Sequence, residues 1–134
     1  FQFVDRCKKI RKDISFGADI IAGFPTETDT MFENTYKLLR DNEISHLHIF
    51  PFSPKNNTPA SRMPQVSKLI IKKRAKILRD LGVLILNKVK SKLSLPREIL
   101  IEELNSGLAI GYDQNYIKHK VPLVGVPIGE VIRV

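Results

Sequence analysis

Few side chains in this sequence have types and spacings that suit chemistry. His46 and His48 stand two apart, so on an extended strand both imidazoles point the same way. Imidazole pairs of this kind ligate metals, but a usable site needs three or four donors. No third His, Cys or carboxylate stands at convincing spacing, so the pair is read as lining or flanking an interior face, and no metal site is expected. Glu27 follows a Gly-Phe-Pro-Thr turn and is a candidate acid or base. The reading we favour is a carboxylate that accepts backbone N–H groups at a helix start. Cys7 is the one cysteine. An iron–sulfur cluster takes three or four thiolates, so Cys7 is assigned to packing.

The elements that must position these groups follow from periodicity. Phe3, Val4, Cys7, Ile10 and Ile14 recur at helical spacing, with Lys8, Lys9, Arg11 and Lys12 around them. This predicts an amphipathic helix against a sheet. Ser15 to Gly17 breaks it. Ala18 to Phe24 is a short continuous apolar run, the pattern of a strand covered on both faces. Gly23 within it lets another backbone or a flat ligand approach. Pro25 ends the ladder, Thr28 or Thr30 caps the next helix, and Thr30 with Glu33 has capping-box spacing. That helix is expected to run to about Asn42, burying Phe32, Tyr36 and Leu39. Ile44 to Phe52 follows as a second strand, with His46, His48, Phe50 and Phe52 on one side and Leu47, Ile49 and Pro51 on the other. Strand, helix and strand make a βαβ unit with a right-handed crossover. Ligands of such sheets bind beyond the carboxyl ends of the strands, here Phe24 to Thr28 and Phe50 to Thr58.

From Ser67 to about Leu93, Ile71, Ala75, Leu78, Ile85, Val89 and Leu93 mark one face of a long helix, with Gly82 placed to kink or split it. Its remaining faces are basic, and Lys72, Lys73 and Lys76 are the candidates for RNA contact. After Pro96, the stretches Arg97 to Leu104, Gly107 to Ile117 and Val121 to Val134 read as short strands. Tyr112 and Tyr116 are available to stack on bases or to pack within that small β module.

Composition sets the bounds. The chain has 134 residues, 43% of them apolar, enough for one ordinary domain or part of a larger one. No apolar run reaches the roughly 18 to 20 residues of a membrane span, and no charged-then-apolar leader is seen, so neither a membrane nor secretion is expected. A single cysteine excludes an internal disulfide and suits a reducing, cytoplasmic setting. A net charge of +8 favours phosphate-rich partners. The chain opens at Phe1 inside a helical pattern, and is expected to be a piece of a longer protein.

Two strings give these features a name. Asp19-Ile20-Ile21-Ala22-Gly23-Phe24-Pro25-Thr26-Glu27-Thr28, with Phe32 and Thr35 behind it, closely resembles the late-barrel motif of radical SAM methylthiotransferases. The second string agrees at Phe50, Ser53, Thr58, Pro59, Ala60, Met63, Gln65 and Val66, with Arg74 further on. Its wording is most similar to the tRNA enzymes that act on threonylcarbamoyladenosine. The resemblance implies an α/β fold: the carboxyl-terminal part of an open (β/α) radical SAM barrel, a basic helix, and a small β-rich tail. It also implies transfer of a methylthio group to carbon 2 of a modified adenosine beside the anticodon, using S-adenosylmethionine and two 4Fe-4S clusters. Ile21, Gly23 and Phe50 would lie near the cofactor, in a slot suited to adenine.

The chain departs from the family where it has Thr26 and Asn57 in place of Gly, Phe52 in place of Tyr, and Lys55 in place of Arg. Lys55 lacks the planar two-pronged donor, whereas Asn57 suits a position of positive φ. The cluster cysteines are not present, so no catalytic residue is assigned in this chain, and alone it is expected to be inactive. Ile101-Glu102-Glu103, Gly111-Tyr112, Asn115-Tyr116-Ile117 and Gly125 resemble a shortened TRAM module, the small β-barrel that grips tRNA. The expected divisions are residues 1–66 (barrel), 67–95 (basic connector) and 96–134 (TRAM-like module). The expected partners are the anticodon arm of tRNA and the amino-terminal part of the same enzyme. The alternatives are a non-catalytic RNA-binding remnant, or a subgroup acting on isopentenyladenosine tRNA or on a ribosomal protein.

Overall fold

The computed structural model describes residues 2–93, 96–122 and 125–134. The first helix, α1 (Gln2–Ile10), ends one turn before its apolar pattern does, with Arg11 N–H donating to Cys7 O at 2.9 Å. None of its residues is fully buried, and Phe3 and Ile10 are 73% and 88% exposed. The apolar stripe exists, but among the described residues Val4 is the α1 side chain that packs against the core.

The βαβ unit follows. Strands β1 (Gly17–Ala22) and β2 (His46–Pro51) are parallel, in a register running from Gly17 beside His46 to Ala22 beside Pro51. Between them lies α2 (Asp29–Asp41), capped by Thr28 rather than Thr30: the Thr28 Oγ1 accepts from Met31 N–H at 3.2 Å. After a 3-10 turn (Pro59–Arg62), α3 (Lys68–Lys92) begins at Ser67, whose hydroxyl accepts from Ile70 N–H. Ala22 and Ile49 of the strands, Leu39 of α2, and Ala75, Leu78, Leu81 and Ile85 of α3 form one core with Ile44. Burying a Leu side chain contributes roughly 1.5–3 kcal/mol, so Leu39 and Leu78, each 1% exposed, hold both helices to the sheet. Gly82 does not interrupt α3, which runs unbroken for 25 residues. A Cβ at Gly82 would sit 3.4 Å from the Leu47 side chain, so the glycine serves close helix-to-strand packing.

The apolar run of β1 predicts burial on both faces, and the structure departs from that. Ala18, Ile20 and Ala22 turn toward the helices while Gly17, Asp19 and Ile21 are exposed. The helices of this chain cover one face only. The two sheet edges also differ. Alternate residues of a parallel strand bond to the same neighbour, and the bonds from His46 N–H to Phe16 O and from Phe52 N–H to Ala22 O set the phase. Leu47, Ile49 and Pro51 therefore face the outer edge of β2. There Arg79 donates to Ile49 O at 3.2 Å, and Pro51 has no N–H to offer, which together blunt that edge. The outer edge of β1, at Gly17, Asp19 and Ile21, has no such protection among the described residues.

The carboxyl-terminal part is an antiparallel sheet of β3 (Glu98–Asn105), β4 (Leu108–Asp113), β5 (Lys118–Pro122) and β6 (Val131–Arg133), in the order β5-β4-β3-β6. Val121 to Val134, expected as one strand, is divided between β5 and β6, and its Leu123 and Val124 lie outside the described residues. A bulge between Ile101 and Glu103 curls the sheet. At Gly111 a Cβ would lie 2.0 Å from Leu100 O, so β3 and β4 cross too closely there for any side chain. Ile99, Ile101 and Ala109 form a second core with Val121, Val126, Ile132 and Val134.

A buried polar hub joins this sheet to the βαβ unit. Asn115, 2% exposed, donates through Nδ2 to Asp13 O and to Ser15 Oγ, and accepts through Oδ1 from Arg97. Its carbonyl meets His46 Nε2 at 2.9 Å. Asp113 accepts from Arg97 Nε at 2.5 Å, from the N–H groups of Asn115 and Ile117, and faces His119 Nε2 at 2.9 Å. Burial pushes the Asp113 carboxyl up, but these hydrogen bonds outweigh it and hold the group below its ordinary value.

Candidate functional site

The bare face of the two-stranded sheet presents three cross-strand pairs in register: Gly17 with His46, Asp19 with His48, and Ile21 with Phe50. Side chains alternate along each strand, so the register that packs Ile20 and Ile49 under the helices puts Ile21 and Phe50 on the opposite face. They are 52% and 50% exposed, and Phe24 just beyond is 43% exposed. A parallel sheet is ordinarily covered on both faces. Half-exposed Ile and Phe at adjoining strand tips thus form an apolar wall that the described residues leave uncovered. Toward the amino-terminal end the wall becomes polar, with His48 Nδ1 3.7 Å from Asp19 Oδ1. The two imidazoles separate in role: His46 bonds to the hub, and His48 pairs with Asp19 on the open face.

The turn after β1 is held by an ion network that the sequence did not announce. Glu27 Oε2 accepts from Gly23 N–H at 3.0 Å and from Arg74 Nη1 at 2.6 Å. Arg74, 5% exposed, also donates to Glu27 O at 3.0 Å and to Asp29 Oδ1 at 2.7 Å, with its guanidinium 5.4 Å from the Phe32 ring centroid. Burial disfavours the Arg74 charge, yet hydrogen bonds to Asp29 and Glu27 leave its pKa raised. Glu27 is therefore a positioning carboxylate that accepts a backbone N–H, though from Gly23 after β1 rather than from the helix start expected from sequence. Gly23, at φ +75, is closely approached, though by α3: a Cβ there would lie 2.4 Å from Ile71 Cγ1. Of the three residues expected near the cofactor, Ile21 and Phe50 are brought side by side on the open face, while Gly23 turns under α3.

The candidate RNA residues fall into two groups. Tyr112 and Tyr116 have ring centroids 5.6 Å apart, with Lys118 Nζ 5.9 Å from the Tyr112 centroid. Tyr116, 75% exposed and at φ +61, borders a cleft of about 330 Å³ together with Arg11, His46 and His48. Lys72, Lys73 and Lys76 lie exposed on α3, Lys76 tied to Asp80 at 2.6 Å. Lys72 borders a different cavity, beside Phe52.

No family model matches the chain. It is 46% identical over 133 residues to a threonylcarbamoyladenosine tRNA methylthiotransferase of Rickettsia prowazekii, covering 98% of this chain and 30% of that protein. It is 38% identical over 136 residues to the protein of the same name in Thermotoga maritima, covering 95% of this chain and 30% of the relative. A tRNA-2-methylthio-N(6)-dimethylallyladenosine synthase of Aquifex aeolicus is 34% identical over 110 residues, covering 81% of this chain and 25% of the relative. The chain belongs to the tRNA methylthiotransferase family. It spans about 30% of the length of the curated threonylcarbamoyladenosine relatives it matches.

In this chain the departures from the family wording acquire physical meaning. Thr26 and Asn57 both have positive φ, +69 and +65. Asn adopts that conformation readily, whereas a β-branched Thr is strained in it. Phe52 packs its ring edge-on against Phe24, centroids 5.3 Å apart. Lys55 is exposed in the loop. The family implies S-adenosylmethionine and iron–sulfur clusters. The open wall suits the apolar half of a nucleoside. The donor set does not suit a cluster: among the described residues no three His, Cys, Asp or Glu side chains converge, and Cys7 is the one thiol. No described helix is long and apolar enough to cross a membrane.

Proposed function

We propose that this chain is the carboxyl-terminal portion of a radical SAM tRNA methylthiotransferase, acting in the cytoplasm on threonylcarbamoyladenosine beside the anticodon. The reading rests on one observation above all: a parallel sheet whose second face is bare, with Ile21 and Phe50 paired across its strand tips. In this reading residues 1–66 are the last part of an open barrel. Its upstream strands pair along the unprotected edge of β1, and β2, blunted by Pro51 and Arg79, is terminal. S-adenosylmethionine, when bound between this wall and upstream cluster thiolates, supplies the radical chemistry. The residues of this chain bind and orient. Ile21 and Phe50 take the adenine face, and Glu27 with Arg74 holds the β1 turn in place.

The connector 67–95 offers Lys72, Lys73 and Lys76 to phosphate, and the TRAM-like module 96–134 offers Tyr112 and Tyr116 as a stacking platform for the anticodon arm. Without cluster ligands the chain alone is inactive and binds neither iron nor cofactor tightly. Mass spectrometry of tRNA nucleosides from cells with and without the gene tests this. Loss of the 2-methylthio form of threonylcarbamoyladenosine supports it. Loss from isopentenyladenosine instead would assign the other tRNA subgroup, and an unchanged nucleoside profile would leave an RNA-binding remnant.

A further inference from the structure

A groove of about 460 Å³ runs between the loop after β2 and the first turns of α3, outside the bare sheet face. Its floor is apolar, from Phe52, Val66 and Ile71, and its rim carries Lys68 and Lys72. We propose that this groove binds one nucleotide of the RNA strand, its base against Phe52 and its phosphate between Lys68 and Lys72.

Three observations point to that occupant. First, the lysines of α3 divide by partner. Lys76 is paired with Asp80, and Lys88 and Lys92 with Glu43, whereas Lys68, Lys72, Lys73 and Lys90 make no ion pair among the described residues, and of these four only Lys68 and Lys72 line the groove. No carboxylate lines the groove. Second, the groove opens at the amino-terminal end of a helix of 25 residues, whose dipole adds partial positive charge to that of the two amines. Third, the aromatic floor is fixed. Phe52 is braced by Phe24 at 5.3 Å, and Gln65 on the rim is pinned by donating to Ala60 O at 2.9 Å and Met63 O at 2.7 Å. An apolar plate beside two free amines fits a base joined to a phosphate, and suits an acidic peptide or a bare anion less. The groove adjoins the carboxyl end of β2, so the nucleotide it holds would lie near the cofactor assigned to Ile21 and Phe50. The proposal rests on the RNA-binding reading above and adds a location to it.

The test is binding of unmodified tRNA to the 134-residue chain by filter retention, between about 50 and 200 mM salt. Both lysines are exposed, so Lys68→Gln/Lys72→Gln should fold normally. It is expected to lower the log–log salt slope by about 0.7, the value for one phosphate of a single strand. Phe52→Ala is expected to weaken binding about tenfold with the slope unchanged. A control pair, Lys9→Gln/Lys90→Gln, also exposed, should change the slope less than the groove pair. Equal effects of the two lysine pairs, or equal competition by polyglutamate at matched charge, would overturn the groove while leaving RNA binding intact. A chain that retains no tRNA at low salt would overturn the underlying RNA-binding reading as well.

Discussion

Gly23 is where packing and function can be separated most cleanly. Replacing it with Ala does two things at once. At φ +75 a Cβ is strained, costing roughly 1–2 kcal/mol. The same atom would lie 2.4 Å from Ile71 Cγ1, about an ångström inside ordinary contact, and overpacking of that kind costs typically 1–3 kcal/mol. The expected loss is therefore about 2–5 kcal/mol. With a urea m-value on the order of 1.5 kcal/mol/M, the midpoint should fall by at least about 1 M. The decisive assay is a double-mutant cycle with Ile71→Ala. Removing Cγ1 relieves most of the clash, leaving a tight 3.1 Å approach to the Cβ of residue 71 and the backbone strain, so Gly23→Ala in that background should cost only about 2 kcal/mol. The coupling should then be about 1–3 kcal/mol. If the two substitutions are additive within about 0.5 kcal/mol, α3 is not what requires glycine here, and the packing explanation of Gly23 fails.

Other expectations concern strain, charge and the hub. Thr26→Gly should stabilise the chain by about 1 kcal/mol, read as a rise in the urea midpoint, because Thr26 sits at φ +69; no rise would mean the strain is relieved some other way. Glu43 receives Lys92 at 2.6 Å and Lys88 at 3.0 Å, and these bonds lower its pKa to about 2. A depressed carboxylate stabilises above its ordinary value near 4.5 and loses that contribution as pH falls through about 2. Both lysines are well exposed, so solvent screening leaves about 1 kcal/mol, and the urea midpoint of Glu43→Gln should be correspondingly flatter across that window. Asn115→Ala should accelerate amide exchange both in the β4–β5 turn and at Asp13 to Ser15, since one side chain bridges them; an effect confined to the turn would contradict the bridge.

Periodicity recovered the βαβ unit, the long basic helix and the β-rich tail, because each places apolar residues at a fixed spacing. What it missed has physical causes. The run Ala18 to Phe24 predicts burial on both sides, but the described helices cover only one of them and leave Ile21 exposed. Phe3 and Ile10 mislead in the same way. Arg74 sits within the apolar stripe of Ile71, Ala75 and Leu78, and a charge there is intelligible only once Glu27, 47 residues earlier, is beside it. Asn115 is less legible still, since its partner Asp13 is 102 residues away. Gly82 was read by its intrinsic helix cost, when its neighbour Leu47 decides its role. The apolar half of the candidate site, Ile21 and Phe50, is implied by the family resemblance rather than by strand alternation. The network that holds it is implied by neither.

The open wall itself is tested most directly by grafting this chain in place of the matching part of the Rickettsia prowazekii relative, which is 46% identical to it. The readouts are 5′-deoxyadenosine release and tRNA methylthiolation. Ile21→Asp and Phe50→Asp, each placing a charge on the bare face, are expected to abolish both, while Leu84→Asp on the exposed side of α3, where the parent residue is 65% exposed, leaves both near the parent level. Cofactor cleavage that survives a carboxylate at Ile21 and at Phe50 would contradict the assignment of that face to the nucleoside.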